Sequence, residues 1–326
     1  MGGGEGLPRS QRHASVYGID LLSKPVTNIA ASVRQRLLNL ARDRNEDFGL
    51  LLTKYALERL LFRISQSEHK MTFILKGALL FELWTEQTHR PTRDADFLSI
   101  GSSDPRRFEA IFKEICVLPV VDDGLIFDPS SVTARQIKEG ADYEGVRVSF
   151  LGYLENARIP MQLDIGFGDA VTPPAVETAF PTILDGPAAV LLTYPRETVV
   201  AEKFEAMVKL GVANTRMKDF HDLYSLSRLF SFEGQILSEA IVRTFERRKT
   251  RLPLAPPSVF TAEFFEDESK QRQWTSFNGK NRLYIEAVPL KTVVGDIEQF
   301  VMPLVLGVAA EGKWNRSWRA GGPWQD

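Results

Sequence analysis

Asp94 and Asp96 sit one residue apart at the head of Asp94-Ala95-Asp96-Phe97-Leu98-Ser99-Ile100, a run that reads as a β-strand. Residues i and i+2 of a strand share a face, so the two carboxylates project side by side while Ala95 points away. Like charges that close are unfavourable unless a cation lies between them. Mg²⁺ takes hard oxygen ligands and is commonly held by one or two carboxylates together with substrate phosphates. Two solvated acids at a strand end are the alternative, since exposed acids are the rule. Asp164 bears on that choice. It interrupts the otherwise apolar strand Gln162-Leu163-Asp164-Ile165-Gly166, where an acid is expensive to bury without a partner. If that strand neighbours the first, three carboxylates share a site. Two divalent ions bridged by them can then activate an attacking hydroxyl and stabilise a leaving pyrophosphate. An edge-strand acid facing water is the alternative here.

A second group of charges is Lys218-Asp219-Phe220-His221-Asp222. On a helix Asp219 and Asp222 share a face at spacing i, i+3, with Lys218 beside them; a solvated helix face presents the same pattern. Lys203, in Ala201-Glu202-Lys203-Phe204, has apolar residues close by. Its ammonium can reach a triphosphate from the helical side, or snorkel to water as lysines on amphipathic helices do. Gly77 falls where an apolar strand meets a helix, and free backbone N–H groups at such a turn can hold phosphate. Other chemistries lack their residues. The histidines His13, His69, His89 and His221 show no H-E-x-x-H spacing, and neither a P-loop nor a dinucleotide fingerprint is present. Cys116 is the sole cysteine. That excludes an internal disulfide and a cysteine-rich zinc site, suits a reducing compartment, and reads as a buried helix-face residue rather than a nucleophile.

The elements that must position these residues can be read from periodicity. A polar lead-in covers residues 1–25. Helical spacing of apolar residues predicts helices over Asn28–Asp43 and Phe48–Ser65, the second with a broad core-facing stripe. A strand over 71–77 leads into a helix over 78–84, and a helix over 103–116 is capped by Ser103 or Asp104 with Pro105 at its start. From residue 143 the period changes to two. Runs 146–154 and 159–167 flank Asn156-Ala157-Arg158 and predict an antiparallel pair. Residues 168–192 read as loop with short extended pieces. Helices follow over Arg196–Leu210, ended by Gly211, then Arg216–Phe230, Glu239–Arg248, 267–277 and 290–306, with a Pro-rich break at 250–260. The tail from Glu311, with Lys313, Trp314, Arg316, Trp318 and Arg319, reads as mobile, with RNA base stacking as its alternative use.

The expected fold class is α+β: a small mixed sheet with leading helices over residues 1–195, then a mainly helical domain over 196–326. The 326-residue length is consistent with two domains. Hydrophobic content of 44% with 25% charged residues excludes global disorder. A net charge of −2 and a pI near 6.2 exclude a general nucleic-acid coat, so any RNA contact must use a local patch. No apolar run approaches the ~20 residues of a bilayer span, and the N-terminus lacks the regions of a signal peptide, so the expected setting is cytoplasmic, away from membranes. No heptad seam is evident, which points to a monomer.

Taken together, five segments resemble the AbiEii/AbiGii nucleotidyltransferase toxins of type IV toxin–antitoxin systems, over roughly residues 45–230. They are Leu75-Lys76-Gly77-Ala78-Leu79-Leu80, Arg93-Asp94-Ala95-Asp96-Phe97, Gln162-Leu163-Asp164-Ile165, Pro195-Arg196-Glu197-Thr198-Val199-Val200-Ala201-Glu202-Lys203, and Arg216-Met217-Lys218-Asp219-Phe220-His221-Asp222. The resemblance implies a DNA-polymerase-β-like nucleotidyltransferase core followed by a helical domain. By it, Asp94 and Asp96 bind the catalytic Mg²⁺ (or Mn²⁺) and Asp164 completes the acidic set. Lys203 contacts the triphosphate, while Lys218, Asp219 and Asp222 hold nucleotide or support catalysis. Where the superfamily usually has Gly-Ser or Gly-Gly, this chain has Gly77-Ala78; backbone N–H groups there, with Lys76 or Arg93 adding charge, are left to bind phosphate. The activity implied is transfer of an NMP from an NTP to an acceptor hydroxyl, RNA and in particular tRNA, by a toxin whose antitoxin is encoded nearby and need not touch it. The same carboxylates would also serve a metal-dependent phosphodiesterase or nuclease, and Ala78 alone supports a non-catalytic NTP- or RNA-binding module.

Overall fold

The computed structural model describes residues 1–2, 28–85, 89–139, 143–312 and 314–326. The expected lead-in over 1–25 and Lys313 of the tail therefore lie almost wholly outside the described residues. In chain order the elements are α1 (Ile29–Arg44), α2 (Phe48–Gln66), β1 (Phe73–Lys76), α3 (Leu79–Thr85), β2 (Ala95–Ser99), α4 (Pro105–Cys116), β3 (Leu125–Glu139), β4 (Tyr143–Leu154), β5 (Ala157–Phe167), β6 (Val176–Ala179), β7 (Val190–Thr193), α5 (Arg196–Leu210), α6 (Met217–Leu229), β8 (Phe232–Glu233), α7 (Gly234–Arg247), α8 (Ala262–Phe265), α9 (Glu268–Asn281), α10 (Leu290–Glu311), β9 (Ser317–Trp318) and β10 (Trp324–Gln325). The chain is of the mixed α/β class, as expected.

Among the described residues the main sheet has seven strands in the order β3-β4-β5-β2-β1-β7-β6. It is mixed: β2–β5 and β1–β7 are parallel and the other neighbours antiparallel. Strand alternation divides its residues between two faces. Phe73 and Phe97 meet edge to face, and Phe73 also packs on Phe108 and Phe112 of α4. This face is covered by α2 and α4, which leaves the other to Lys76, Asp96 and Asp164. Helix α4 is capped by Asp104, whose carboxylate accepts from the Arg106 N–H at 2.9 Å, and Pro105 opens the helix without losing a bond. Every residue of α2 from Leu50 to Ser65 except Thr53 is buried, charged residues included. Arg63 reaches Asp123 and Lys54 reaches Glu82, so these charges enter the interior as pairs.

Four features go beyond or depart from the sequence reading. First, β3 was not foreseen: it is a long edge strand whose pairing with β4 shifts register between Asp128 and Thr133. Pro129 falls in that irregular stretch, and an edge strand with a bulge tolerates a proline. Second, α7 begins at Gly234 rather than Glu239. Third, the C-terminal tail is docked. Strands β9 and β10 form a small sheet with β8, Trp318 is buried, and its indole N–H donates to the Ser227 carbonyl at 2.7 Å. The Trp324 indole N–H donates to the Phe300 carbonyl at 2.8 Å. Aromatic area with its polar tip satisfied anchors the tail, so Trp318 and Trp324 are spent on packing rather than presented to RNA bases. Fourth, α10 is long and apolar enough to cross a membrane by length and composition. Asp296 and Glu298 break it into shorter apolar runs, which hid the mean hydropathy. Its buried face, including Val294, Ile297, Phe300 and Val301, packs on α6 and α7.

One apolar core runs through both halves of the chain. The strands of the main sheet all precede residue 195, the elements beyond it are mainly helices, and the buried cluster includes residues from both.

Candidate active site

Strand registers place four charged side chains in a row across the sheet. Arg147 of β4 lies opposite Asp164 of β5, Asp164 beside Asp96 of β2, and Asp96 opposite Lys76 of β1. Directly paired residues share a face, so the row runs cation, acid, acid, cation. Asp94 lies just before β2, and its carboxylate accepts from the Thr92 hydroxyl. Oxygens of Asp94, Asp96 and Asp164 all lie within 4.8 Å of one another.

Gly77 follows the row directly, with φ of +77°. A Cβ there would meet Asp96 Oδ2 at 2.0 Å. The glycine is needed on two counts: the left-handed backbone, and the approach of the Asp96 carboxylate to the chain. Three hard-oxygen donors converging on one cleft, one seated in a cradle a side chain would fill, fit a divalent cation such as Mg²⁺ or Mn²⁺.

The cleft has a volume of about 530 Å³ and is walled by the sheet on one side and by α5, α6 and Arg248 on the other. Eight basic and seven acidic side chains line it, a local concentration of charge that the chain's total of −2 hides. A second cavity of about 590 Å³, between α2 and the 180–183 segment, lies away from the converging acids.

On the helical wall Lys203 of α5 is held by Asp219 and Asp222 of α6, each at 2.8 Å. Asp222 also accepts both arms of the Arg90 guanidinium at 2.9 and 3.0 Å and meets His89 at 3.1 Å. Arg216 pairs with Asp219 at 2.6 Å. Burial, which by itself raises a carboxyl, is outweighed at Asp222 by Arg90 and Lys203, and its carboxyl is held well below the usual range. Burial likewise disfavours a charged Lys203, and Asp219 and Asp222 overcome it to raise the ammonium. The wall therefore presents a fixed positive charge. His89, stacked on Phe81, is lowered by burial. His89, His221 and Asp222 also cluster closely enough to ligate a metal. Arg90 and Lys203 already engage both Asp222 oxygens, and this cationic setting argues for a positioning network instead.

The cleft floor holds a set of residues that sequence reasoning missed. Lys76 pairs with Asp169 at 3.1 Å and lies 3.9 Å from Glu202. Arg248 bridges Asp169 and Glu205 at 2.9 and 3.0 Å, and the Tyr194 hydroxyl donates to Glu202 at 3.2 Å. Burial pushes Glu202 up to about 7 despite Lys76. At Asp169, burial is outweighed by Lys76 and Arg248, which keep the carboxyl low. Each acid also acts on the other, Asp169 helping to raise Glu202 and Glu202 helping to lower Asp169. Acids beside apolar residues in Phe167-Gly168-Asp169 and Ala201-Glu202 were the available signal. Arg147 was missed for a different reason: an arginine in an alternating strand reads as solvent-facing.

Of the residues singled out from sequence, Lys76, Gly77, Ala78, Asp94, Asp96, Asp164, Lys203, Lys218 and Asp219 line this cleft. Arg93 is exposed and lies outside its lining, whereas Arg90 lines the cleft. Asp222 is buried behind Lys203 and does not line the cleft. Cys116 is buried, its thiol pushed up to about 12 by burial, which suits an inert core residue.

A family model described as the nucleotidyl transferase AbiEii toxin of type IV toxin–antitoxin systems matches residues 59–289, more than half of the chain. No curated protein matches significantly. Two solved structures are similar: one described as a candidate nucleotidyltransferase from H. pylori, at 12% identity, and JHP933 from Helicobacter pylori, at 13%. Each match covers 81% of this chain and 98% of the other, with a TM-score of 0.46.

Proposed function

The chain belongs to the AbiEii family of nucleotidyltransferase toxins of type IV toxin–antitoxin systems, and from that premise we propose that it moves an NMP from an NTP to an acceptor hydroxyl on RNA, tRNA foremost, with Mg²⁺ or Mn²⁺ as cofactor. The observation that carries this reading is the convergence of Asp94, Asp96 and Asp164 within 4.8 Å in a cleft whose opposite wall is cationic.

In this reading the NTP lies between the sheet-bearing half, 1–195, and the helical half, 196–326. Asp94, Asp96 and Asp164 would hold the cation, which when bound supplies Lewis-acid charge to the reacting phosphate and pyrophosphate. Lys203 takes the triphosphate: an ammonium has three donors, and Asp219 and Asp222 occupy two. Those two acids act as positioning residues, fixing Lys203 and keeping it charged. Lys76, Arg90, Arg216 and Lys218 add charge along the phosphates, and Lys76 is steered by Asp169. The acceptor hydroxyl attacks the α-phosphorus in line and pyrophosphate leaves. Such catalysis is mainly positioning and electrostatics, so no side-chain nucleophile is required. The cationic wall favours a triphosphate substrate over simple phosphodiester cleavage. We further place the protein in the cytoplasm as a monomer, with an antitoxin encoded nearby that need not bind it.

The test incubates purified protein with Mg²⁺, each α-³²P-labelled NTP in turn and total RNA, beside Asp96→Asn. Label on a discrete RNA band, one NTP preferred and the variant silent but folded, is the expected result. Unchanged turnover by Asp96→Asn would remove the assignment.

A further inference from the structure

Asp164 is close enough to Asp94 and Asp96 to share a cation with them, yet both of its oxygens are already engaged. The Arg147 guanidinium donates from Nε at 2.7 Å and from Nη2 at 2.6 Å. The Asp164 side chain is 11% exposed and the Arg147 side chain 29%, so the pair stands at the cleft surface with the arginine the more exposed partner. Elsewhere in the cleft Lys203 pairs with Asp219 and Asp222, Arg90 with Asp222, and Arg248 with Asp169, Glu202 and Glu205. A cation that recruits Asp164 competes with Arg147 for the same two oxygens and sets a second positive charge against the guanidinium, which loosens the pair. The planar fork so released matches phosphate as well as it matches carboxylate.

We propose that Arg147 is the exchangeable counter-charge of the site: it holds Asp164 in the metal-free chain, yields that carboxylate when a divalent cation enters with nucleotide, and then takes a phosphate oxygen. This rests on the NTP reading above for the identity of the phosphate. Its consequence is linkage. Arg147 opposes metal binding alone and favours metal and nucleotide together, and by reciprocity each raises the affinity for the other.

The experiment measures Mn²⁺ binding to the full chain without nucleotide, by the EPR signal of free Mn²⁺, for wild type, Arg147→Ala, Arg147→Lys and Arg147→Ala combined with Asp164→Asn. Removing two charge-assisted competitors should tighten Mn²⁺ binding on the order of tenfold in Arg147→Ala. Arg147→Lys should fall between, and Asp164→Asn should cancel the gain. In the second arm, affinity for each Mg²⁺–NTP is measured by calorimetry; the NTP that wild type binds best should bind Arg147→Ala about tenfold more weakly. Thermal melts confirm folding, with Arg147→Lys as the fallback if the alanine variant is unfolded. Mn²⁺ affinity unchanged or weaker in the folded Arg147 variants overturns the proposal, as does a tighter Mn²⁺ site with nucleotide affinity unaltered. Both binding shifts without any NMP transfer by wild type would instead remove the catalytic reading and leave the exchange at Asp164 standing.

Discussion

Gly77→Ala separates the geometry of the site from the stability of the fold. The added Cβ would sit 2.0 Å from Asp96 Oδ2, 2.7 Å from its Cγ and 2.8 Å from its Cβ, where ordinary contact begins at 3.4 Å. The carboxylate must therefore retreat by about 1.4 Å, the gap between 2.0 and 3.4 Å, or β1 must move away from β2. The backbone at φ +77° adds roughly 1–2 kcal/mol of strain for a residue with a side chain. A misplacement near 1 Å costs about 10²-fold in a site that works by positioning. Label transfer should thus fall on the order of 100-fold, and Mn²⁺ binding should weaken with it, while the urea midpoint drops only by the strain. Transfer within about threefold of wild type in the folded variant would refute the reasoning, because Asp96 would then not need the seat that Gly77 leaves open.

Asp222→Asn should be chiefly a stability variant. It leaves Arg90, whose side chain is 11% exposed, without its main counter-charge and Lys203 with Asp219 alone, and breaking such a buried pair costs about 3–5 kcal/mol; a urea-derived loss below about 1 kcal/mol would contradict the network. Glu202 gives a pH signature. Its folded pKa is raised from 4.5 to about 7, so its contribution to stability is complete below 4.5 and lost as pH rises through about 7. Asp169 is shifted downward, so its contribution is lost only as pH falls below the usual carboxylate range. Glu202→Gln should flatten the change in urea midpoint between about pH 5 and about pH 8; an unaltered slope would show that another group titrates there.

Much of the site was legible because it follows from local periodicity. The two-residue repeat of a strand puts Asp94 and Asp96 on one face whatever the rest of the chain does. An acid between Leu163 and Ile165 must find a partner or a ligand wherever that strand lies. The bounds of α1, α2 and α5 fell within one or two residues of expectation, since apolar spacing and stop signals such as Gly211 are properties of chain neighbours. Where local signals conflict, the reading failed. Pro129 and the serines beside it concealed β3, and the basic, glycine-bearing tail concealed three tryptophans that pack.

The sequence by itself determined which residues are chemically capable and which of them share a face. Only the tertiary structure decided which charges meet. The pairing of β2 with β5 brings Asp96 beside Asp164, and no spacing rule chooses that neighbour. Arg90 reaches Asp222 across 132 residues and Lys76 reaches Asp169 across 93. Contacts of the same kind pair Asp222 with Lys203 as well as Arg90, and Arg147 with Asp164. The physical reason is that periodicity is set by bonded neighbours, whereas the partner of a buried charge is set by whichever distant element the packed core presses against it.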